Sequence, residues 1–121
     1  MDKEHYILIF HGSDNSNLIS KTDLIKNYLQ NNLNKNLTIC FVQKLSPSFS
    51  EALEIAHLHN TKKIVCLPML LLPGHHLIKD IPLTVENFKK KHKNCEVKIL
   101  PCLADSKYFF DFLLKTLQSN Q

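Results

Sequence analysis

The sequence predicts an α/β fold in which a four-stranded, mainly parallel sheet lies between two layers of helices. Short apolar runs such as YILIF at residues 6–10 have the composition of strands that are buried on both faces. Segments with apolar residues at helical spacing follow these runs, and strand and helix alternate four times along the chain. This alternation is typical of parallel sheets whose right-handed crossovers place helices on both faces.

The predicted elements follow one another without a linker, a repeat or a low-complexity segment. Strands are predicted at residues 6–10, 37–42, 64–67 and 97–100. Helices are predicted at residues 18–33, from Ser48 to about His59, around residues 83–88 and at residues 108–117. The second helix opens with a capping box, Ser48-Phe49-Ser50-Glu51, and the third ends in a lysine-rich stretch. We expect a single domain over residues 1–121.

The composition is that of a globular protein and excludes several functional classes. A hydrophobic content of 44% with 21% charged residues argues against disorder. The longest apolar run, residues 67–72, is too short to cross a bilayer, and the acidic N-terminus does not fit a signal peptide, so we expect a soluble cytoplasmic protein without a membrane partner. The chain contains no arginine, and its basic run at residues 89–93 fits a solvated helix end, which argues against nucleic acid as a partner.

The cysteines show no paired C-x-x-C spacing and no disulfide framework. We expect reduced thiols in a cytosolic protein, and three of the four lie inside or beside predicted strands, where cysteine is usually a small buried hydrophobic residue. They are Cys40, Cys66, Cys95 and Cys102.

Two histidine-containing segments follow predicted strands. His11 comes directly after the first strand and precedes Gly12, and His75 and His76 come after the third strand and follow Gly74. In open α/β sheets, ligands bind beyond the carboxyl ends of the strands, so both segments open on the same rim. If the two strands are neighbours, the imidazoles can converge on one transition-metal ion. Adjacent side chains in extended backbone point apart, so we expect only one of His75 and His76 to meet His11.

Asp80 stands two residues before Pro82, a spacing that predicts a helix N-cap followed by a proline in the first turn. A carboxylate on this rim could also accept a proton or orient an imidazole. The remaining histidines are most simply solvent-facing, and the two on the second helix point in different directions. They are His5, His57, His59 and His92.

Three segments resemble the signatures of class II tetrapyrrole chelatases, in particular the short sirohydrochlorin chelatase form. His11-Gly12-Ser13 is similar to the first signature, and residues 74–82 (GHHLIKDIP) are similar to the second, Gly-x-His-x-x-x-Asp-Ile/Leu-Pro. Residues 47–53 (PSFSEAL) resemble the start of the second helix in that family. The similarity extends over nearly the whole chain, and the two histidine signatures at this spacing make it specific.

The resemblance implies a chelatase-like (flavodoxin-like) fold and a lyase-type enzyme that inserts Co²⁺, Fe²⁺ or Ni²⁺ into sirohydrochlorin in siroheme- or cobalamin-type biosynthesis. It implies no permanent cofactor, because the metal is a substrate. The metal ligands fall on His11 and His76, and Asp80 joins them as a catalytic residue. Contacts with the anionic tetrapyrrole are expected from Gly12, Ser13, Leu71, Leu72, Pro73, Gly74, His75 and Lys79. Short members resemble half of the longer two-domain chelatases and work as homodimers.

The chain departs from the family pattern at two positions. Asp14 stands where many relatives have an arginine, and Lys79 stands where many have a glutamate. An alternative function is a non-catalytic carrier of metal or tetrapyrrole on the same fold. A phosphate-transfer enzyme with His11 as nucleophile ranks last, because the chain has no arginine to clamp a phosphoryl group.

Overall fold

The structure, a computed structural model, describes residues 4–120; in residues 75–78 it describes the backbone and not the side chains. The strands are β1 (Glu4–Phe10), β2 (Asn36–Phe41), β3 (Lys63–Pro68) and β4 (Glu96–Ile99). The helices are α1 (Asn17–Leu33), α2 (Phe49–Leu58), α3 (His75–Lys91) and α4 (Phe109–Gln118), with a 3-10 helix at Leu103–Asp105 between β4 and α4. Within the described residues, every helix is too short or too polar to span a membrane.

The four strands form one parallel sheet in the order β2-β1-β3-β4. The predicted α/β fold is therefore confirmed. Ile7 at the centre of β1 pairs with Thr38 of β2 on one side and with Cys66 of β3 on the other. Strands β1 and β3 are thus direct neighbours, and their carboxyl ends lie side by side.

Two hydrophobic clusters cover the two faces of the sheet. One face packs against α2 and α3, and its cluster includes Ile7, Ile9, Leu53, Ile81 and Phe88. The other face packs against α1, and its cluster contains Leu8, Leu37, Ile39 and Phe41 with Leu18, Ile25 and Leu29 of the helix packed against it. Alternate residues of β1 and β2 enter opposite clusters, as the period of two in a strand requires.

The capping box of α2 is present as predicted. The Glu51 backbone N–H donates to Ser48 Oγ, and the Ser48 backbone N–H donates to the Glu51 carboxylate at 2.9 Å. These bonds satisfy two of the N–H groups that a helix start leaves without a partner. The box lowers the pKa of Glu51, because the Ser48 backbone and hydroxyl both bond to its side chain.

Helix α3 begins earlier than predicted, which corrects the role of Asp80 and the setting of the histidine pair. The helix starts at His75 with Gly74 as its N-cap, so Asp80 lies inside the helix and is not its cap. Pro82 lies inside α3, where its fixed φ is helical but its ring removes one i→i−4 hydrogen bond and crowds the carbonyl one turn before it. His75 and His76 therefore occupy the first helical turn, where successive positions differ by about 100° around the axis, and not extended backbone.

Helix α4 has an apolar face that no other element of the described chain covers. Its only extensive packing within the described chain is against the 3-10 helix, and all of its residues after Phe109 are exposed. The large apolar residues that are at least two-fifths exposed at this end of the chain are Tyr108, Phe110, Phe112, Leu113, Leu114 and Leu117. Of these, Phe110, Leu113, Leu114 and Leu117 recur at i, i+3, i+4 and i+7 and therefore share one face of the helix; we call these four residues the α4 apolar face.

Candidate functional site

The candidate site lies at the carboxyl-end rim of the sheet, where β1 and β3 end beside each other. His11 follows Phe10 directly, and the chain leaving β3 stays bonded to β1 through Met69 N–H, which donates to Ile9 C=O at 2.7 Å. The two segments that carry the sequence signatures therefore depart from adjacent strands. This adjacency was the condition on which convergence of the histidines depended.

The imidazole of His11 is exposed, and one of its nitrogens already has neighbours. Its Nδ1 lies 3.3 Å from the Gly12 carbonyl and 3.4 Å from the side-chain amide of Gln43. When Nδ1 carries the proton, it can donate to the Gly12 carbonyl, and the lone pair of Nε2 is then free for a metal ion. The Gly12 carbonyl thus favours the ring state that a metal ligand needs, whereas the Gln43 amide nitrogen, which is a donor, favours the opposite tautomer.

Gly12 holds the first signature against the segment that follows β2. Its φ is +94°, and a Cβ placed there would lie 2.0 Å from the backbone carbonyl oxygen of Gln43. The Val42 N–H donates to Phe10 C=O and the Gln43 N–H donates to His11 C=O, so the two chain segments are joined on either side of the glycine. Only glycine combines this conformation with this approach.

The two residues after Gly12 make local polar contacts. Ser13 Oγ accepts a hydrogen bond from the Asn15 N–H at 3.1 Å. Asp14, one of the departures from the family pattern, forms an exposed ion pair with Lys44 at 2.9 Å. The carboxylate is therefore directed to the β2–α2 connection, and exposed pairs of this kind contribute little to stability.

The second segment presents apolar side chains on the rim. Leu71 and Leu72 are 56% and 66% exposed, and Pro73 and Gly74 are exposed beside them. The carbonyls of Leu70 and Leu71 accept hydrogen bonds from Leu103 and Ala104, which tie this segment to the 3-10 helix. Next to it lies an apolar cleft of about 270 Å³ whose walls include Pro68, Leu70, Pro73, Ile81, Leu100 and Cys102.

The side chains of His75 and His76 lie outside the described part of the structure, so the convergence of His76 with His11 stays a prediction. Lys79 and Asp80 are exposed on the next turn of α3, and Asp80 lies four positions, or about one turn, after residue 76. Among the side chains that the structure does describe, no three histidines, cysteines or carboxylates are grouped to hold a metal ion. That finding does not include residue 76.

The expectation that the other histidines face solvent is wrong for His5 and His92. His5 is 2% exposed, its Nε2 lies 2.6 Å from Thr38 Oγ1, and burial lowers its pKa to about 4, with repulsion from His59 and Lys26 adding to the effect. Its period-two position on β1 turns it into the core. His92 is partly buried with its Nε2 2.6 Å from Glu54, and the His57 ring lies against it at 3.8 Å between centroids.

Sequence reasoning did not single out Gln43. It follows β2, the strand next to β1, and therefore reaches the same rim as His11. The available signal was its position directly after a predicted strand, but its place beside His11 depends on the order of the strands. The expected burial of cysteines is confirmed for Cys40, Cys66 and Cys95, and all four thiols are free.

The sequence model of the CbiX family matches residues 5–120, which is nearly the whole chain. The chain belongs to the CbiX family. Solved structures share the fold of this CbiX-family chain. The structure of the cobalamin (vitamin B12) biosynthesis CbiX protein from Marinobacter aquaeolei VT8 has a TM-score of 0.75 at 17% identity, over 97% of this chain and 96% of that one. The comparison with curated proteins gives no match.

Two further structures are of a longer protein. The sirohydrochlorin chelatase SirB from Bacillus subtilis subspecies spizizenii in complex with cobalt has a TM-score of 0.82 at 14% identity. SirB from Bacillus subtilis with Fe³⁺ has a TM-score of 0.81 at 14% identity. Each likeness covers 97% of this CbiX-family chain but only 50% and 47% of the SirB chains, so the chain spans about half of their length.

Proposed function

We propose that this CbiX-family protein is a cytoplasmic chelatase that inserts Co²⁺, Fe²⁺ or Ni²⁺ into sirohydrochlorin. Membership of the family supports this, as does the shared fold with a sirohydrochlorin chelatase whose structures contain cobalt or Fe³⁺. The observation that carries the proposal is the adjacency of β1 and β3, from which the His11 segment and the segment of residues 69–76 depart onto one rim. His11 and His76 are the proposed metal ligands.

In this proposal the two imidazoles hold the ion while it loses part of its water shell. The ion then passes to the pyrrole nitrogens as two N–H protons leave the macrocycle. A neutral histidine or the Asp80 carboxylate, about one turn of α3 after residue 76, accepts these protons. His75 and Lys79 contact the macrocycle or its carboxylates.

The macrocycle is proposed to pack on the exposed apolar side chains of Leu71, Leu72 and Pro73, near the apolar cleft of about 270 Å³. Gly12 and Ser13 allow its other edge to approach the backbone beside His11. A flat tetrapyrrole needs two walls, and a single rim offers one. The formal charge of +4 favours the approach of a substrate that carries many carboxylates.

The second wall is proposed to come from a second copy of the chain in a homodimer. The chain spans half the length of the SirB chains, which supports two copies in place of two halves. The α4 apolar face supports it as well, because its four side chains are 41–75% exposed along one side of the helix.

The activity is tested by mixing purified protein with sirohydrochlorin and each metal separately and following the absorption change of metallation. His11→Ala and His76→Ala should each remove most of the insertion rate, with far-ultraviolet circular dichroism unchanged, while His75→Ala should be milder. His59→Ala is the matched control, because it removes an exposed imidazole at the far end of α2. Tight binding of sirohydrochlorin without faster metallation would favour the carrier and contradict the enzyme.

The homodimer is tested by light scattering on the double variant Phe110→Ser with Leu117→Ser. We expect a monomer with little insertion activity, because the α4 apolar face is lost while the rim is untouched. Leu58→Ser is the control, since Leu58 is 81% exposed at the end of α2, outside that face. A monomeric variant with full activity would show that one copy suffices.

A further inference from the structure

Lys44 has a strained backbone conformation shortly after the end of β2. Its φ is +67°, and the Leu45 N–H donates to the Gln43 C=O at 2.8 Å, so the chain makes a three-residue γ-turn with Lys44 at its centre. A γ-turn with a positive φ is rare and strained, and glycine adopts such a φ at no steric cost. In the described part of the chain, the other non-glycine residues with positive φ are Asn34 and Asn60, and asparagine is enriched in this region. Lysine is therefore the unusual residue.

The observed contact of the Lys44 side chain does not offset this strain. Its Nζ lies 2.9 Å from Asp14 Oδ2, and the two side chains are 48% and 83% exposed. Exposed ion pairs contribute little to stability, because water and salt screen them. A glycine at position 44 would make the same turn without the strain. Backbone strain of this kind is concentrated at active sites and ligand-binding segments, which directs attention to what the ammonium group does there.

The turn places the Lys44 ammonium beside the His11 segment. The preceding residue, Gln43, has its side-chain amide 3.4 Å from His11 Nδ1, and Asp14 lies three residues after His11. An ammonium that donates to Asp14 from the residue after Gln43 is therefore on the same rim as the proposed metal ligand. In the order β2-β1-β3, Lys44 approaches from the β2 side, whereas the apolar segment of residues 69–76 approaches from the β3 side.

We propose that the Lys44 ammonium binds a carboxylate on the edge of the tetrapyrrole that lies beside Gly12. This inference rests on the proposed function and adds a substrate-binding residue to it. An ammonium has three N–H donors, so one can stay on Asp14 while another meets the substrate. The flat apolar ring packs on residues 71–73 from one side, and Lys44 fixes its charged edge on the other. The two contacts together orient the macrocycle across the rim.

The test compares Lys44→Gly with the wild type in sirohydrochlorin binding without metal, followed by absorption, and in metal insertion. Glycine relieves the strain but removes the ammonium. The urea midpoint should therefore stay the same or rise by up to about 0.5 M, while the affinity for sirohydrochlorin falls about tenfold. The KM for sirohydrochlorin should rise about tenfold with kcat nearly unchanged. Between ionic strengths of about 0.1 M and about 1 M, the loss should shrink to less than about threefold, because salt screens an exposed ammonium.

Three further variants serve as controls. Lys35→Gly makes the same substitution at an exposed lysine just before β2, about 20 Å from the rim given the six residues of the strand. At an ionic strength of about 0.1 M its affinity should stay within about twofold of the wild type, because the Debye length is about 10 Å. Lys44→Arg keeps the positive charge and should keep most of the affinity. Asp14→Asn should bind at least as tightly as the wild type, because it keeps the ammonium and removes a competing carboxylate.

Several results would overturn the role of Lys44. Equal losses of affinity in Lys35→Gly and Lys44→Gly would mean that net charge alone matters. A loss in Asp14→Asn as large as that in Lys44→Gly would mean that the ion pair is only structural, and a lower urea midpoint for Lys44→Gly would contradict the strain.

The failure of this inference is distinguishable from failure of the proposed function. Wild-type affinity in Lys44→Gly would refute the role of Lys44 and leave metal insertion by the wild type intact. Wild-type protein that binds sirohydrochlorin without metallating it would refute the enzyme, and the relative affinities would still decide the role of Lys44. Wild-type protein that does not bind sirohydrochlorin would refute both.

Discussion

Replacement of Gly12 by alanine should destabilise the protein far more than the same change at Gly74. An alanine at a φ of +94° costs about 1–2 kcal/mol in backbone strain. The new Cβ would also lie 2.0 Å from the Gln43 carbonyl oxygen, whereas real contacts stay beyond 3.0 Å, so that backbone must move by about 1 Å. The shift weakens the bonds of Val42 and Gln43 to the neighbouring segment, each contributing about 1 kcal/mol.

Together these effects predict a loss of about 2–4 kcal/mol in the free energy of unfolding, which lowers the urea midpoint by about 1–2 M. Gly74 has a φ of −85° that any residue adopts, so Gly74→Ala should lose less than about 1 kcal/mol. Urea titrations followed by circular dichroism measure both variants under one condition. Equal midpoints for the two variants would refute the reasoning that Gly12 locks the His11 segment to Gln43.

Three further predictions follow from buried and neighbouring groups. Because burial lowers the pKa of His5 to about 4 from about 6.5 in the unfolded chain, the unfolded state binds the extra proton between these values, and stability should fall by up to about 3 kcal/mol as the pH drops through this window. His5→Gln should reduce the difference in the free energy of unfolding between pH 7 and pH 4.5, as measured by urea titrations. An unchanged difference would contradict this prediction. Gln43→Leu should slow metal insertion by about tenfold without unfolding the protein, since it removes the amide beside His11 Nδ1. Wild-type insertion rates at all pH values would argue against a role of Gln43 in supporting His11. A thiol reagent should label about one cysteine in the native protein and all four after denaturation. The reason is that burial raises the pKa of the Cys66 thiol to about 12 and also raises the pKa of Cys40 and Cys95. Fast labelling of Cys40 in the native protein would be inconsistent with its burial.

The described structure holds the two histidine segments through contacts with different parts of the chain. The His11 segment is fixed by backbone hydrogen bonds to the residues after β2 and by the close approach of Gly12. The second segment is fixed through its carbonyls to Leu103 and Ala104, just before α4. A partner docked on the α4 apolar face would therefore act on the element that braces the segment before residues 75 and 76. We expect dimer formation and metal insertion to be lost together for this reason.

The sequence alone determined the local elements of this protein. Continuous apolar runs predicted β1, β2 and β3, because strands buried on both faces have no alternating polar residues. The capping box predicted the start of α2, because it depends on side chains within three residues of each other. The signatures at residues 11–13 and 74–82 also consist of near neighbours in sequence, and for that reason they indicated the family by themselves.

Only the tertiary structure decided which distant residues meet. The order β2-β1-β3-β4 made the His11 segment a neighbour of the segment after β3, and it brought Gln43 to His11 from 32 positions away in the chain. The same packing buried His5, against the expectation from its place near a segment end, and α3 began at His75 although Pro82 suggested a later start. The physical reason is that strand order and the burial of a side chain such as His5 depend on contacts between distant segments, which local sequence patterns do not encode.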